Sequence, residues 1–256
     1  MSTDLLTVDN VSVAFSGLKA LDAVSLSVSE GSVVGLIGPN GAGKTTLLNV
    51  ISGFQKPTDG RIFFGGRDVT HLAPDRRAGL GVGRSFQNLG LMMEETVEDN
   101  ILAAQHDSSG YRLWDPLVRP HRWRTAEVRM RRRADKMLGQ FELAGHRESR
   151  VGSLSFATAR FVELACVMTE DRRLLLLDEP TTGLDTNEVD RLLQVIEELR
   201  NQNITVLVVA HDVRFTMTAC DHVYVLAGGR VLFDGPPTAV SKEPSVIEAY
   251  LGTSSQ

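Results

Sequence analysis

Short uninterrupted apolar runs occur at Val33-Val34-Gly35-Leu36-Ile37, Leu174-Leu175-Leu176-Leu177 and Thr205-Val206-Leu207-Val208-Val209. Runs of this length and composition suit strands buried on both faces of a parallel sheet. Leu6, Val8, Val11, Val13 and Phe15 instead fall in alternating sets around Asp9-Asn10. That alternation predicts an N-terminal strand or hairpin with one buried face, and Leu26 and Val28 continue it. Arg61-Ile62-Phe63-Phe64 reads as a further short strand between the turn signals Pro57-Thr58-Asp59-Gly60 and Gly65-Gly66. Over residues 97–164 the apolar spacing turns helical, first through Val97, Ile101 and Leu102, then through Val128, Met137, Leu138 and Phe141. Residues 188–199 read as a crossover helix. A last hairpin pairs 223–226 with 230–233 across Ala227-Gly228-Gly229, and the Ser-rich end Thr253-Ser254-Ser255 is expected to fray.

This is a mixed α/β pattern, and 256 residues at 42% hydrophobic and 23% charged leave room for a large core with a subdomain. The net charge of -5 argues against a nucleic-acid binder that works through bulk electrostatics. A protein or small-molecule partner is the remaining expectation. Cys166 and Cys220 lack both a disulfide framework and metal-ligand spacing, so they read as core thiols of a protein from a reducing compartment. Met1-Ser2-Thr3-Asp4 shows no charged-then-apolar leader, and no window approaches 18 uninterrupted apolar residues. Neither a membrane span nor a secretion signal is expected.

The chemistry gathers where the apolar runs stop. Gly38-Pro39-Asn40-Gly41-Ala42-Gly43-Lys44-Thr45 follows the first run and precedes the helix-like Thr46-Leu47-Leu48-Asn49-Val50-Ile51. In a strand, glycine turn and helix of this kind, backbone N–H groups turn inward around an anion and the helix start adds its positive dipole end. Lys44 brings a full charge, and Thr45 is placed to hold Mg²⁺. Asp178-Glu179 end the leucine run, at the strand edge where open α/β sheets put their ligands. Asp178 is placed to hold Mg²⁺ through its waters, and Glu179 to polarise a water for in-line attack on a γ-phosphate. One or two carboxylates with phosphate oxygens are what Mg²⁺ prefers. A third run ends at His211-Asp212, again facing the phosphates. Gln87, in Arg84-Ser85-Phe86-Gln87-Asn88, lies where the α/β core gives way to the helical stretch, in reach of Mg²⁺ or the attacking water.

Together these residues resemble the ATP-binding cassette family, in the family's order and over nearly the whole chain. By that resemblance residues 38–45 are its Walker A loop, with Thr46 beside it, and ATP with Mg²⁺ is the cofactor. Gln87 is the Q-loop, 174–179 the Walker B strand with its catalytic glutamate, and His211 the switch histidine. Gly183-Leu184-Asp185 is the D-loop, with Asp185 reaching across a dimer. Phe15 stands where the family stacks an aromatic ring on adenine; the alternative is a core aromatic on an alternating strand. The implied fold is a P-loop NTPase with a RecA-like mixed-sheet core, an N-terminal antiparallel β subdomain and an inserted helical subdomain. The whole chain would then be one nucleotide-binding domain, with its core at 1–87 and 168–236, helices at about 88–167 and a tail at 237–256.

Within the family, four stretches are most similar to the ATPase subunits of branched-chain amino acid importers. They are Phe15-Ser16-Gly17-Leu18-Lys19-Ala20-Leu21, Arg84-Ser85-Phe86-Gln87-Asn88-Leu89, residues 105–133, and Val246-Ile247-Glu248-Ala249-Tyr250-Leu251-Gly252. This implies docking on a transmembrane permease at the cytoplasmic face, pairing with a second ATPase, and solute delivery by an external binding protein. The alternatives are the ATPase of a lipid or lipopolysaccharide exporter and a non-transport ATPase of the same family. One motif departs from pattern: the signature reads Leu154-Ser155-Phe156-Ala157-Thr158, with Ala157 for the second glycine and Thr158 for glutamine. Ser155 keeps a hydroxyl for the partner's ATP. A methyl at 157 is expected to push that nucleotide away where space or φ is tight; paired with a different ATPase, the site on Lys44, Glu179 and His211 is then the better half of an unequal pair, whereas a homodimer has two weakened sites. Arg119, Arg122, Arg124, Arg129, Arg131, Arg132 and Arg133, beside Trp114 and Trp123, suit either an interfacial patch under a bilayer or a solvated helix face.

Overall fold

The computed structural model describes residues 4–85, 90–105, 120–168, 172–240 and 242–251. Gln87, Trp114 and Arg119 lie outside the described residues, as do the side chains of Arg122, Trp123 and Arg124. In chain order the elements begin with β1 (Asp4–Phe15), β2 (Leu18–Ser29), β3 (Val33–Ile37), α1 (Lys44–Ser52), β4 (Asp59–Phe64), β5 (Arg67–Asp68), α2 (Pro74–Ala78) and β6 (Val82–Arg84). Helices α3 (Val97–Ala104), α4 (Pro120–Gln140) and α5 (Phe156–Val167) follow. The chain then runs through β7 (Leu174–Asp178), α6 (Thr186–Asn201), β8 (Thr205–Val209), α7 (Val213–Ala219), β9 (His222–Ala227), β10 (Arg230–Gly235), α8 (Pro237–Val240) and α9 (Pro244–Leu251). Contacts divide it into two compact units, Met1–Arg84 with Arg173–Gln256, and Ser85–Arg172.

The first unit holds two sheets. In the four-stranded sheet, ordered β2-β1-β4-β5, Leu6, Val8, Val11 and Val13 of β1 are buried together with Leu21, Val24, Leu26 and Val28 of β2. Asn10 takes a left-handed φ of 50° and the register slips between Val8 and Val11, which is why the sequence alternation breaks at Asp9-Asn10. The six-stranded sheet is ordered β10-β9-β3-β8-β7-β6, and only β10 runs antiparallel to its neighbour. Every residue of β7 and β8 is buried, as expected for strands covered on both faces. Because β3, β8, β7 and β6 are parallel, their C-terminal ends lie along one edge, and the glycine loop, His211, Glu179 and Arg84 lie there.

One support was not legible in the sequence. Arg77 of α2 is 1% exposed and donates to the carbonyls of Val50 and Ile51 at 2.7 Å each, of Thr70 at 2.9 Å and of Leu72 at 3.1 Å. The last carbonyls of a helix have no partner within it and carry its negative dipole end, so a guanidinium fork there caps α1. Burial pushes the Arg77 guanidinium down to about 10, with the charge of Asp68 opposing the shift.

In the second unit, Met130, Ala134, Met137 and Leu138 form the buried stripe of α4, and buried Phe141 follows its end. Val128 is 52% exposed, contrary to the sequence expectation. Nine residues are about two and a half helical turns, which puts Val128 opposite Met137. Thr96 caps α3 by accepting from the Asp99 N–H, and buried Asn100 holds both the N–H and the carbonyl of Met92. Helix α5 carries a buried ion pair, Arg160 Nη1 to Glu163 Oε2 at 2.8 Å.

Candidate nucleotide-phosphate site

The glycine loop after β3 is seated by close approach. At Gly38, φ is 150° and a Cβ would come within 2.0 Å of the Leu226 carbonyl oxygen. At Gly43, φ is 103° and a Cβ would meet the Ala20 carbonyl oxygen at 2.6 Å. No side chain fits at either position, so the loop's backbone presses against both the β9–β10 hairpin and β2. The Gly229 N–H donates to the Ala42 carbonyl at 3.2 Å and the Asp22 N–H to the Gly229 carbonyl at 2.8 Å, which ties these parts together.

Lys44 is buried and folds back over the loop, its Nζ donating to the Gly38 carbonyl at 2.7 Å and the Pro39 carbonyl at 3.0 Å. Burial lowers the pKa of its ammonium below the ordinary lysine value, and the charges of Glu179 and Asp178 oppose that shift. Thr45 is exposed and Thr46 half-buried in the first turn of α1, while Asn40 and Gly41 form the exposed crest of the loop.

Asp178 is 2% exposed at the end of β7, with Arg84 Nη2 3.7 Å from its Oδ2. Burial lowers the pKa of the Arg84 guanidinium, and the Asp178 charge opposes this. Glu179 takes a left-handed φ of 51°, a region that costs a non-glycine residue of order 1 kcal/mol. Its N–H donates to the Val209 carbonyl at 3.0 Å, its Oε1 lies 2.8 Å from His211 Nε2, and Thr182 Oγ1 donates to its Oε2 at 3.4 Å. The strained backbone turns the Glu179 carboxylate away from the direction the strand would give it and toward the end of β8. The structure thus brings Lys44, Asp178, Glu179 and His211 to one edge.

The donor set also fits Mg²⁺. Thr45 offers a hydroxyl and Asp178 a carboxylate, and no group of three or more His, Cys, Asp or Glu side chains among the described residues forms an all-protein cage. Mg²⁺ keeps several waters and takes one or two carboxylates plus phosphate oxygens, rather than a closed protein cage.

The remaining sequence candidates have local roles. Phe15 is 48% exposed, so it is not a core aromatic and its ring is open to a ligand. Asp185 caps α6 reciprocally: it accepts from the Glu188 N–H at 2.9 Å, and its own N–H donates to Glu188 Oε2 at 2.8 Å. Ser155 caps α5, accepting from the Thr158 N–H at 3.1 Å, and its Oγ shares a hydrogen with Thr158 Oγ1 at 2.8 Å. Ala157 lies in the first turn of that helix without a positive φ and is 6% exposed. Its backbone therefore sets no φ restriction on a side chain at this position. Arg84 and Thr182 were not singled out in the sequence. No local pattern in the sequence marked either of them.

A match to the ABC transporter family covers residues 21–182. The chain belongs to the ABC transporter family. A second match, to the branched-chain amino acid ATP-binding cassette transporter family, covers the cassette's residues 230–255. The cassette is 39% identical to the high-affinity branched-chain amino acid transport ATP-binding protein LivG of Salmonella typhimurium, over 98% of this chain and 99% of that protein. It is likewise 39% identical to BraF of Pseudomonas aeruginosa, which carries the same description, again over 98% and 99%. Among solved structures it resembles the ADP conformation of an ATP-binding cassette of an ABC transporter, with a TM-score of 0.85 and 30% identity over 98% of this chain and 100% of that one. A nucleotide-free cassette matches with a TM-score of 0.83 and 30% identity over 97% and 99%. The cassette thus has the P-loop ABC fold. No helix among its described residues is long and apolar enough to cross a membrane.

Proposed function

We propose that this cassette is the ATP-binding and ATP-hydrolysing subunit of an importer for branched-chain amino acids or a related small solute. Similarity to LivG and BraF along the full length of the chain carries this reading, and the match at residues 230–255 adds to it. The loop N–H groups from Gly38 to Thr46, with Lys44, bind the β- and γ-phosphates, and the Lys44 ammonium exchanges the Gly38 and Pro39 carbonyls for phosphate oxygens. Phe15 lies against the adenine. Thr45, Asp178 and Gln87 hold Mg²⁺, which when bound offsets the charge on the β- and γ-oxygens. Glu179 accepts the proton of the attacking water, and His211 fixes the direction of its carboxylate. Ser155 and Asp185 act across a dimer with a second ABC ATPase. That pair works beneath transmembrane permease subunits at the cytoplasmic face of the membrane, with an external binding protein supplying the solute.

Reconstitution tests this. The cassette is assembled with its permeases and second ATPase in proteoliposomes, with the binding protein added on the outside. Uptake of leucine, isoleucine or valine that needs Mg–ATP and Glu179 is expected. Hydrolysis without uptake of any branched-chain or related solute would overturn the importer reading.

A further inference from the structure

Arg84 ends β6 and lies opposite Leu176 in the parallel register with β7. Side chains two residues apart on a strand share a face, so Asp178 is the next position on the face that Leu176 occupies. The Arg84 side chain is 7% exposed and held from three sides. Its Nη1 donates to Ser52 Oγ at 2.7 Å, its Nη2 lies 3.7 Å from Asp178 Oδ2, and its guanidinium carbon is 5.8 Å from the centre of the Phe54 ring. Ser52 Oγ in turn donates to the Leu48 carbonyl at 2.6 Å, so the fork is anchored to the last turn of α1. The same helix carries Lys44 and Thr45 at its start. A planar cation thus spans from the end of the phosphate-loop helix to the buried carboxylate at the end of β7, while the Lys44 ammonium is bonded to loop carbonyls.

We propose that Arg84 is a positioning residue, fixing the Asp178 carboxylate in register with Thr45 so that both meet the same Mg²⁺. Arginine suits this task because its fork is rigid and holds Ser52 and Asp178 with separate nitrogens. The inference rests on reading this edge as a Mg–ATP site. Residues that orient metal ligands from behind typically contribute ten- to a hundredfold to metal affinity.

The test is a Mg²⁺ titration of the full-length chain in the presence of a fluorescent ATP analogue, set against binding of the analogue in EDTA. Arg84→Met is expected to need about tenfold more Mg²⁺ for half-maximal binding. Analogue binding in EDTA stays unchanged, and Arg84→Lys recovers part of the loss. Equal weakening with and without Mg²⁺, or an unchanged or lowered Mg²⁺ requirement, overturns the proposal. Where Arg84→Met does not fold, Ser52→Ala removes the anchor and keeps the charge, and it is expected to raise the Mg²⁺ requirement in the same direction; no rise overturns the proposal. Failure of the unmodified chain to bind the analogue in a Mg²⁺-dependent way would instead overturn the reading of the site itself.

Discussion

At the phosphate edge, Gly38 and Gly43 have no room for a Cβ, Asp178 is buried beside Arg84, and Glu179 is held at a positive φ by Val209 and His211. At the 154–158 turn, Ser155 and Phe156 are exposed at an ordinary helix start, Ala157 faces inward, and the Ser155 hydroxyl is already bonded to Thr158. The edge dictates residue type through backbone geometry, so a substitution there disturbs the loop itself. The turn sets no such backbone demand, and its helix forms more readily with alanine than with glycine. In the altered signature the Thr158 hydroxyl engages Ser155, and the Ala157 backbone carries no positive φ.

The largest expected effect lies at the edge. Lys44→Ala removes the one charge on the loop and is expected to lower both nucleotide affinity and turnover, the latter by about a hundredfold or more; ATP-analogue binding and phosphate release measure the two. Arg77→Met tests whether the edge depends on its distant cap. It leaves the last carbonyls of buried α1 unmet, and a stability loss of about 2–4 kcal/mol is expected in denaturant unfolding. Cys220 is buried in the first unit and Cys166 half-buried in the second, and desolvation pushes both thiols up to about 12 from 9.0. The folded chain keeps protons that the unfolded chain releases above 9.0, so stability is full below that value and falls as pH rises from 9.0 toward 12. Chemical denaturation at pH 8 and pH 10 checks the sign, and alkylation at pH 8 should label buried Cys220 only after unfolding. The smallest effects belong to the turn. Ala157→Gly is expected to cost about 0.5–1 kcal/mol of stability with turnover of the assembled transporter unchanged. Thr158→Val removes the side-chain hydroxyl bonded to Ser155 Oγ, and is expected to change that turnover by less than about tenfold, the value of one hydrogen bond. A large effect of Ala157→Gly on turnover would erase the contrast between the two regions.

What the sequence made legible followed from local patterns. The buried runs of β3, β7 and β8 and the glycine spacing after β3 located the sheet edge and its loop, because burial on both faces and positive φ leave direct marks on residue choice. Arg77 and Arg84 left no such mark. Each acts on a carbonyl or carboxylate brought near by topology, and an isolated arginine looks the same whether it caps a helix or lies in solvent. Val128 misled because a helical spacing spread over nine residues spans opposite faces. Phe15 was ambiguous until its exposure separated a ring open to a ligand from a core aromatic.

Glu179→Gln, compared with the unmodified cassette for both Mg–ATP binding and hydrolysis in the assembled transporter, tests whether the Glu179 carboxylate takes the proton of the attacking water. Retained binding with turnover lowered by about a hundredfold or more is expected, since the amide keeps the shape and the contact with His211 but cannot take a proton. Hydrolysis by Glu179→Gln at the unmodified rate would contradict it.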